Sequence, residues 1–216
     1  MESAININLE DLKSSLTDSK WDLGNKALYE LCEANFVHNN DEAILAKVWL
    51  IGRAYAAAIE RRKSKNHNND DFYIERVAPV FKKSKLDELF SNLKNTIEFG
   101  GNSFLEGLYL HGYLTTLINE LTDLNKRSLS SKYLHFHFPE VFFIYDSRAV
   151  AAIRSLVKKV PKEFMDDHDK LLVDSDYASF ANKCRFLQKH TQEQHNIWLT
   201  PRKLDTYLIH LANRKL

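Results

Sequence analysis

Six glycines and four prolines in 216 residues are too few to turn the corners of an all-β chain, because sandwiches and barrels draw on both residues at nearly every tight turn. Apolar side chains recur instead at helical spacing. Ile5, Leu9, Leu12 and Leu16 fall at i, i+4, i+7 and i+11, and Leu28, Leu31, Cys32 and Phe36 continue the theme. The expected fold is all-α, a compact multi-helix domain over residues 1–216, two-lobed if the polar, Asn-rich stretch 63–71 is a seam. With 44% hydrophobic residues, a chain of this length fills one core without covalent help. Cys32 and Cys184 have no CxxC partner, so they read as reduced, packed thiols, and neither a metal nor a cofactor is expected.

Asn39-Asn40-Asp41 offers a helix N-cap, and a long helix is expected over residues 42–63. Ala54, Ala56, Ala57 and Ala58 around Tyr55 give it a small-residue surface for close helix approach. Arg53 and Glu60 then share a face at i and i+7, as an ion pair between helices or, alternatively, a phosphate contact. Further amphipathic helices fit residues 72–81 and 85–97. Gly100-Gly101-Asn102 reads as a C-cap and turn, since no strand or nucleotide fingerprint accompanies it, and Ser103 opens a helix to about residue 121.

Residues 132–138 extend a helix that Pro139 stops, and residues 141–145 form a short β-favouring run. Asp146-Ser147 reads as a helix start, with Val150, Ile153 and Val157 as its buried face. Residues 164–176 read as loop or short helix and 177–190 as helix. Thr200-Pro201 is a cap followed by proline at the first helical position, and Leu204, Tyr207, Leu208 and Leu211 line the last helix.

The first twelve residues carry acidic side chains, and no apolar run approaches the roughly 20 residues of a membrane span, so a cytoplasmic protein without a membrane partner is expected. The net charge of +1 conceals an asymmetry. Residues 1–123 hold 14 Lys and Arg against 19 Asp and Glu, whereas residues 124–216 hold 16 against 10. A basic second half hints at a surface that faces a polyanion.

His135 and His137 would point the same way on an extended segment and supply two metal ligands; on a helix their rings diverge by about 200°, and packing or polar contacts are expected. Lys132 and Asp146 stand near the starts of successive helices. Taken as residues alone, they read as a solvated cation and an N-cap.

Ser131-Lys132-Tyr133-Leu134-His135-Phe136, followed by Phe143-Ile144-Tyr145-Asp146-Ser147-Arg148, resembles the second hairpin helix and catalytic loop of helix-hairpin-helix DNA glycosylases. The likeness is to bacterial 8-oxoguanine DNA glycosylase-like proteins in particular, and residues 49–62 and Thr200-Pro201-Arg202-Lys203-Leu204-Asp205 are also similar to that group. The resemblance implies a helix-hairpin-helix glycosylase-like domain that flips a damaged or modified base out of double-stranded DNA, in repair or in defence against foreign DNA. It makes Lys132 the nucleophile of a lyase step and Asp146 the carboxylate that stabilises the sugar cation. With it go Lys126, Arg127, Arg148, Arg202 and Lys203 as DNA contacts and Tyr133, Phe136 and Tyr145 as base pocket, with Lys126 and Arg127 as the cations that depress the Lys132 pKa. Two departures stand beside this. Leu124-Asn125-Lys126-Arg127-Ser128-Leu129 replaces the family's glycine-rich hairpin, and the lysine-to-aspartate spacing is shorter by roughly one helical turn. The rival expectation is a non-catalytic helical module that binds DNA or protein.

Overall fold

A computed structural model describes residues 5, 7–17, 21–63, 68–164 and 172–214, and among these every regular element is helical. In chain order they are α1 (Leu9–Ser15), α2 (Trp21–Ala34), α3 (Asp41–Ala54), the single turn α4 (Asn69–Asp71), a π-helical segment (Phe72–Val77), α5 (Ala78–Lys83), α6 (Leu86–Glu98) and α7 (Ser103–Thr122). Then come α8 (Arg127–His137), α9 (Ser147–Leu156), a 3₁₀ turn (Lys162–Phe164), α10 (Ser175–His195) and α11 (Pro201–Arg214).

Side-chain caps set five of these starts. Asn8, Asn40, Asn102, Asp146 and Asp174 each accept hydrogen bonds from backbone N–H groups in the first turn of α1, α3, α7, α9 and α10. Asp123 and Asn196 close α7 and α10 at φ 55° and 53°, a left-handed conformation that Asp and Asn tolerate better than most residues.

The helix expected over residues 42–63 ends early, at Ala54. Ala56 turns left-handed at φ 52°, its N–H donates to the Arg53 carbonyl at 3.3 Å, and the Ala57 N–H donates to the Gly52 carbonyl at 2.7 Å. This 6→1 and 5→2 pair is a Schellman closure. Alanine favours continuing the helix, but continuing would carry Ile59, fully buried, away from the core. The alanines therefore form a turn rather than a helix surface. Residues 141–145 are irregular, not strand. Residues 165–171 and 64–67 lie outside the described residues, so the reading of 164–176 and of the seam is only partly visible. At that stretch's edge the Lys63 N–H donates to the Thr122 carbonyl at 3.0 Å.

One continuous apolar core runs from Ile5 to Leu208 and includes Cys32 and Cys184 as free thiols. α9 packs against α11, α6 against α7, and α8 against α2, α3 and α7. α8 is thereby enclosed, and every residue from Leu129 to His137 is buried. A buried helix with Ser, Lys, Tyr and His side chains is stable only if each polar group finds a partner. Ser130 Oγ donates to the Lys126 carbonyl at 3.2 Å. Tyr133 donates to His38 Nε2 at 2.8 Å, while His38 Nδ1 donates to Asp87 at 2.6 Å. His135 bonds the Phe142 carbonyl and Tyr29, and His137 bonds the Tyr133 carbonyl and Lys47. Because α8 is helical, the two histidines diverge into separate networks.

Candidate active site

Of the polar side chains of α8 itself, Lys132 is the charged one that is buried. The Lys132 side chain is 2% exposed, and its ammonium donates to Ser128 Oγ at 2.9 Å and to the Tyr55 carbonyl at 3.1 Å. It also lies 3.6 Å from Asp146 Oδ2 and 5.6 Å from the Tyr55 ring centroid. Ser128 is four residues before Lys132, on the same helical face. The Tyr55 carbonyl reaches the amine because α3 stops at Ala54: inside a longer helix that carbonyl would bond the chain's own N–H groups. The early stop is thus part of the site.

Burial pushes the Lys132 pKa below the usual lysine value, because an ammonium loses hydration there. Asp146 and Asp205 oppose that shift, and Arg148 adds to it. The cation acting on Lys132 is therefore Arg148, where Lys126 and Arg127 were expected. Asp146 has two duties. Its Oδ1 caps α9 by accepting from the Arg148 N–H at 3.0 Å, while Oδ2 faces the lysine, and 26% of the side chain is exposed. The carboxylate is thus the point where the buried amine's surroundings meet solvent.

Asp205, in the second turn of α11, is a second carboxylate in the same electrostatic cluster. Burial pushes its pKa up to about 6, against the pull of Arg202 and Lys132. Arg202 donates to Asp205 Oδ2 at 2.9 Å and pairs with Asp22 at 3.4 Å. With the Asn25 amide oriented to donate to the Tyr55 hydroxyl at 2.6 Å, its oxygen accepts from Arg202 at 3.0 and 3.2 Å. A polar chain therefore joins Asp205, Arg202, Asn25 and Tyr55, the residue whose carbonyl holds the amine. Tyr55, Ser128 and Asp205 were not singled out from sequence as site residues. Only the i, i+4 spacing of Ser128 carried a signal.

Lys132, Asp146, Arg148 and Arg202 come together; the other expected residues do not. Lys126 donates to the Ala58 carbonyl at 3.2 Å, and Arg127 is held by Asp174 at 3.0 Å and Asp176 at 3.1 Å. Lys203 is exposed on α11 and Arg148 is exposed beside Asp146. Tyr133 and Phe136 are core: the Tyr133 hydroxyl is spent on His38, and the Phe136 ring packs on Tyr29 at 4.8 Å and Tyr55 at 5.5 Å. Their rings offer no free face to a base. Tyr145 is half-buried against Phe180 at 5.2 Å, and its N–H donates to Ser131 Oγ at 3.0 Å. Arg53 and Glu60 do pair, at 2.8 Å, but across the turn after α3 rather than along one helix.

Among the described residues no group of three His, Cys, Asp or Glu side chains is placed to hold a metal ion, and no helix is long and apolar enough to cross a membrane. Compared with protein-family models, with curated proteins and with solved structures, the chain matches none.

Proposed function

We propose that the protein is a DNA glycosylase with lyase capability, Lys132 serving as nucleophile and Asp146 as the stabilising carboxylate. The observation that carries this reading is the buried Lys132 amine standing 3.6 Å from the carboxylate that caps the next helix. Desolvation brings an amine nearer to neutrality, and only a neutral amine attacks carbon. The adjacent carboxylate is suited to the positive charge that develops on a sugar ring as its base departs. A flipped nucleotide would approach from the Asp146 side, where the exposed Arg148, 3.6 Å from Asp146 Oδ1, would exchange that pairing for a phosphate.

A second reading, a non-catalytic module that binds DNA or protein, is favoured by how fully the amine is engaged. Ser128 Oγ, the Tyr55 carbonyl and Asp146 take up its donors, as expected for a structural lysine. The two readings separate on duplexes that each carry one damaged or modified base. Base release or strand nicking by the native protein, and its absence with Lys132→Gln, supports the enzyme. Binding without release of any base supports the module.

A further inference from the structure

Three groups surround the Lys132 amine, and they are not equivalent. The Tyr55 carbonyl at 3.1 Å and the Asp146 carboxylate at 3.6 Å can only accept hydrogen bonds, whereas the Ser128 hydroxyl at 2.9 Å can also donate one. A neutral lysine amine carries two N–H groups and one lone pair. Two acceptors and one hydroxyl are the complement of that set: the N–H groups face Tyr55 and Asp146, and the lone pair receives the Ser128 proton. Lys132 is the one hydrogen-bond partner of Ser128 Oγ among the described residues. Burial favours this neutral form, as the lowered Lys132 pKa reflects.

The two members of the pair differ in access. Ser128, in the first turn of α8, is half-buried, while the Lys132 side chain is 2% exposed. A molecule arriving from solvent therefore reaches the hydroxyl more readily than the amine. α8 also opens without a side-chain cap, and first-turn N–H groups have no partner within their own helix. Side chains lean toward the helix N-terminus, the end at which those N–H groups point. Donors thus lie on the same turn as the hydroxyl, where they can hold an acyl oxygen as negative charge builds on it.

We propose that Ser128 and Lys132 form a nucleophile–base pair that hydrolyses short-chain carboxylic esters. Ser128 Oγ bonds to the acyl carbon as its proton passes to Lys132 Nζ and the carbonyl π pair moves onto oxygen. Collapse of this tetrahedral adduct breaks the bond to the leaving alcohol, which takes the proton from Lys132. Water, giving a proton to the same amine, then cleaves the Ser128 ester; the acid departs and Ser128 Oγ regains its proton. The near-complete burial of Lys132 leaves little space beneath the hydroxyl, which restricts the acyl group to a short one. The activity goes beyond base removal: here the amine is a base rather than a nucleophile, and no nucleic acid takes part.

The probe is 4-nitrophenyl acetate, incubated with the native protein without DNA; its leaving group departs so readily that the acyl-enzyme accumulates. Expected are release of 4-nitrophenolate and, after acid quenching, an acetyl group on Ser128, located by peptide mass spectrometry and removed by hydroxylamine as an ester is. Ser128→Ala and, separately, Lys132→Gln reduce nitrophenolate release at least about ten-fold, with circular dichroism verifying the fold of each. The position of the acetyl group in the native protein decides the matter even if either variant unfolds. Acetylation of lysines with Ser128 unmodified, no nitrophenolate above the buffer rate, or a native rate in folded Ser128→Ala would overturn the pair. Because no DNA is present, each of these outcomes bears on the ester reaction and not on base removal.

Discussion

Lys132 Nζ and Asp146 Oδ2 stand 3.6 Å apart at the junction of two helices, and the same aspartate caps the second of them through its other oxygen. The capping role and the charge-pairing role are therefore separable. Asp146→Asn keeps an oxygen for the Arg148 N–H and loses only the charge, whereas Asp146→Ala loses both. The alanine variant is expected to be less stable than the asparagine variant by about 1 kcal/mol, the usual worth of an N-cap. Urea unfolding of the two checks it; equal midpoints would remove the cap from the account.

Ala56 at φ 52° holds the turn that brings the Tyr55 carbonyl to Lys132. A non-glycine residue in that region carries a strain of about 1 kcal/mol or more, and nothing in the turn depends on the Ala56 methyl for a hydrogen bond. Ala56→Gly is expected to raise stability by up to about 1 kcal/mol and leave the site intact, the gain being limited by the added freedom of the unfolded chain. A thermal melt reads it, and marked destabilisation would contradict the assigned conformation.

This turn also marks the limit of what sequence revealed. Caps at Asn40 and Asp146, proline at the start of α11 and the apolar stripe of α9 are local signals, and each forms as expected. The end of α3 is a tertiary decision: an alanine run favours helix, and burial of Ile59 overrides it. The π-helical turn at Phe72–Val77 left no trace in the apolar spacing. At the site, sequence pointed to Lys132, Asp146 and Arg148, but it could not reveal that the ion pairs of Arg127 occupy it elsewhere. Nor could it bring in Tyr55 and Asp205, which join through the packing of α11 and the loop after α3. Tyr133 and Phe136 read equally well as base-stacking or core rings until burial separated the two.

Acid should destabilise the fold. Burial lowers the pKa values of His38, His111 and His135 to about 4 from the usual 6.5. The unfolded chain thus binds more protons than the folded one across that window, and stability falls as pH drops from 6.5 toward 4. Asp205 has the opposite sign: its pKa is raised from 3.8 to about 6, so protonation between these values favours the folded state. Burial lowers His137 and His190 as well, so with five histidines against one carboxyl the net expectation is a lower urea midpoint at pH 4.5 than at pH 7. A midpoint that rises on acidification would contradict the neutral, buried histidines.

The location of the exposed cations redirects the DNA expectation. Arg127 is committed to Asp174 and Asp176 and Lys126 to a carbonyl, while Arg148 and Lys203 are exposed. If DNA binds at the site, Arg148→Ala with Lys203→Ala should weaken binding across sequences and reduce the log–log salt slope by about 2, near one counterion per phosphate contact. An unchanged slope would exclude both residues from phosphate contact.

The measurement closest to the central claim is borohydride trapping on duplexes carrying single damaged or modified bases or an abasic site. Attack by the Lys132 amine on the sugar C1′ forms a C1′–N bond as the base or hydroxyl leaves; the C1′–O4′ bond then opens, O4′ takes a proton and C1′ becomes an imine, which hydride reduces to a stable amine linkage. A covalent protein–DNA adduct is expected with the native protein and with a folded Glu60→Gln control, and none with Lys132→Gln. An adduct of equal yield with Lys132→Gln would contradict it, as would no adduct and no base release on any substrate of the panel.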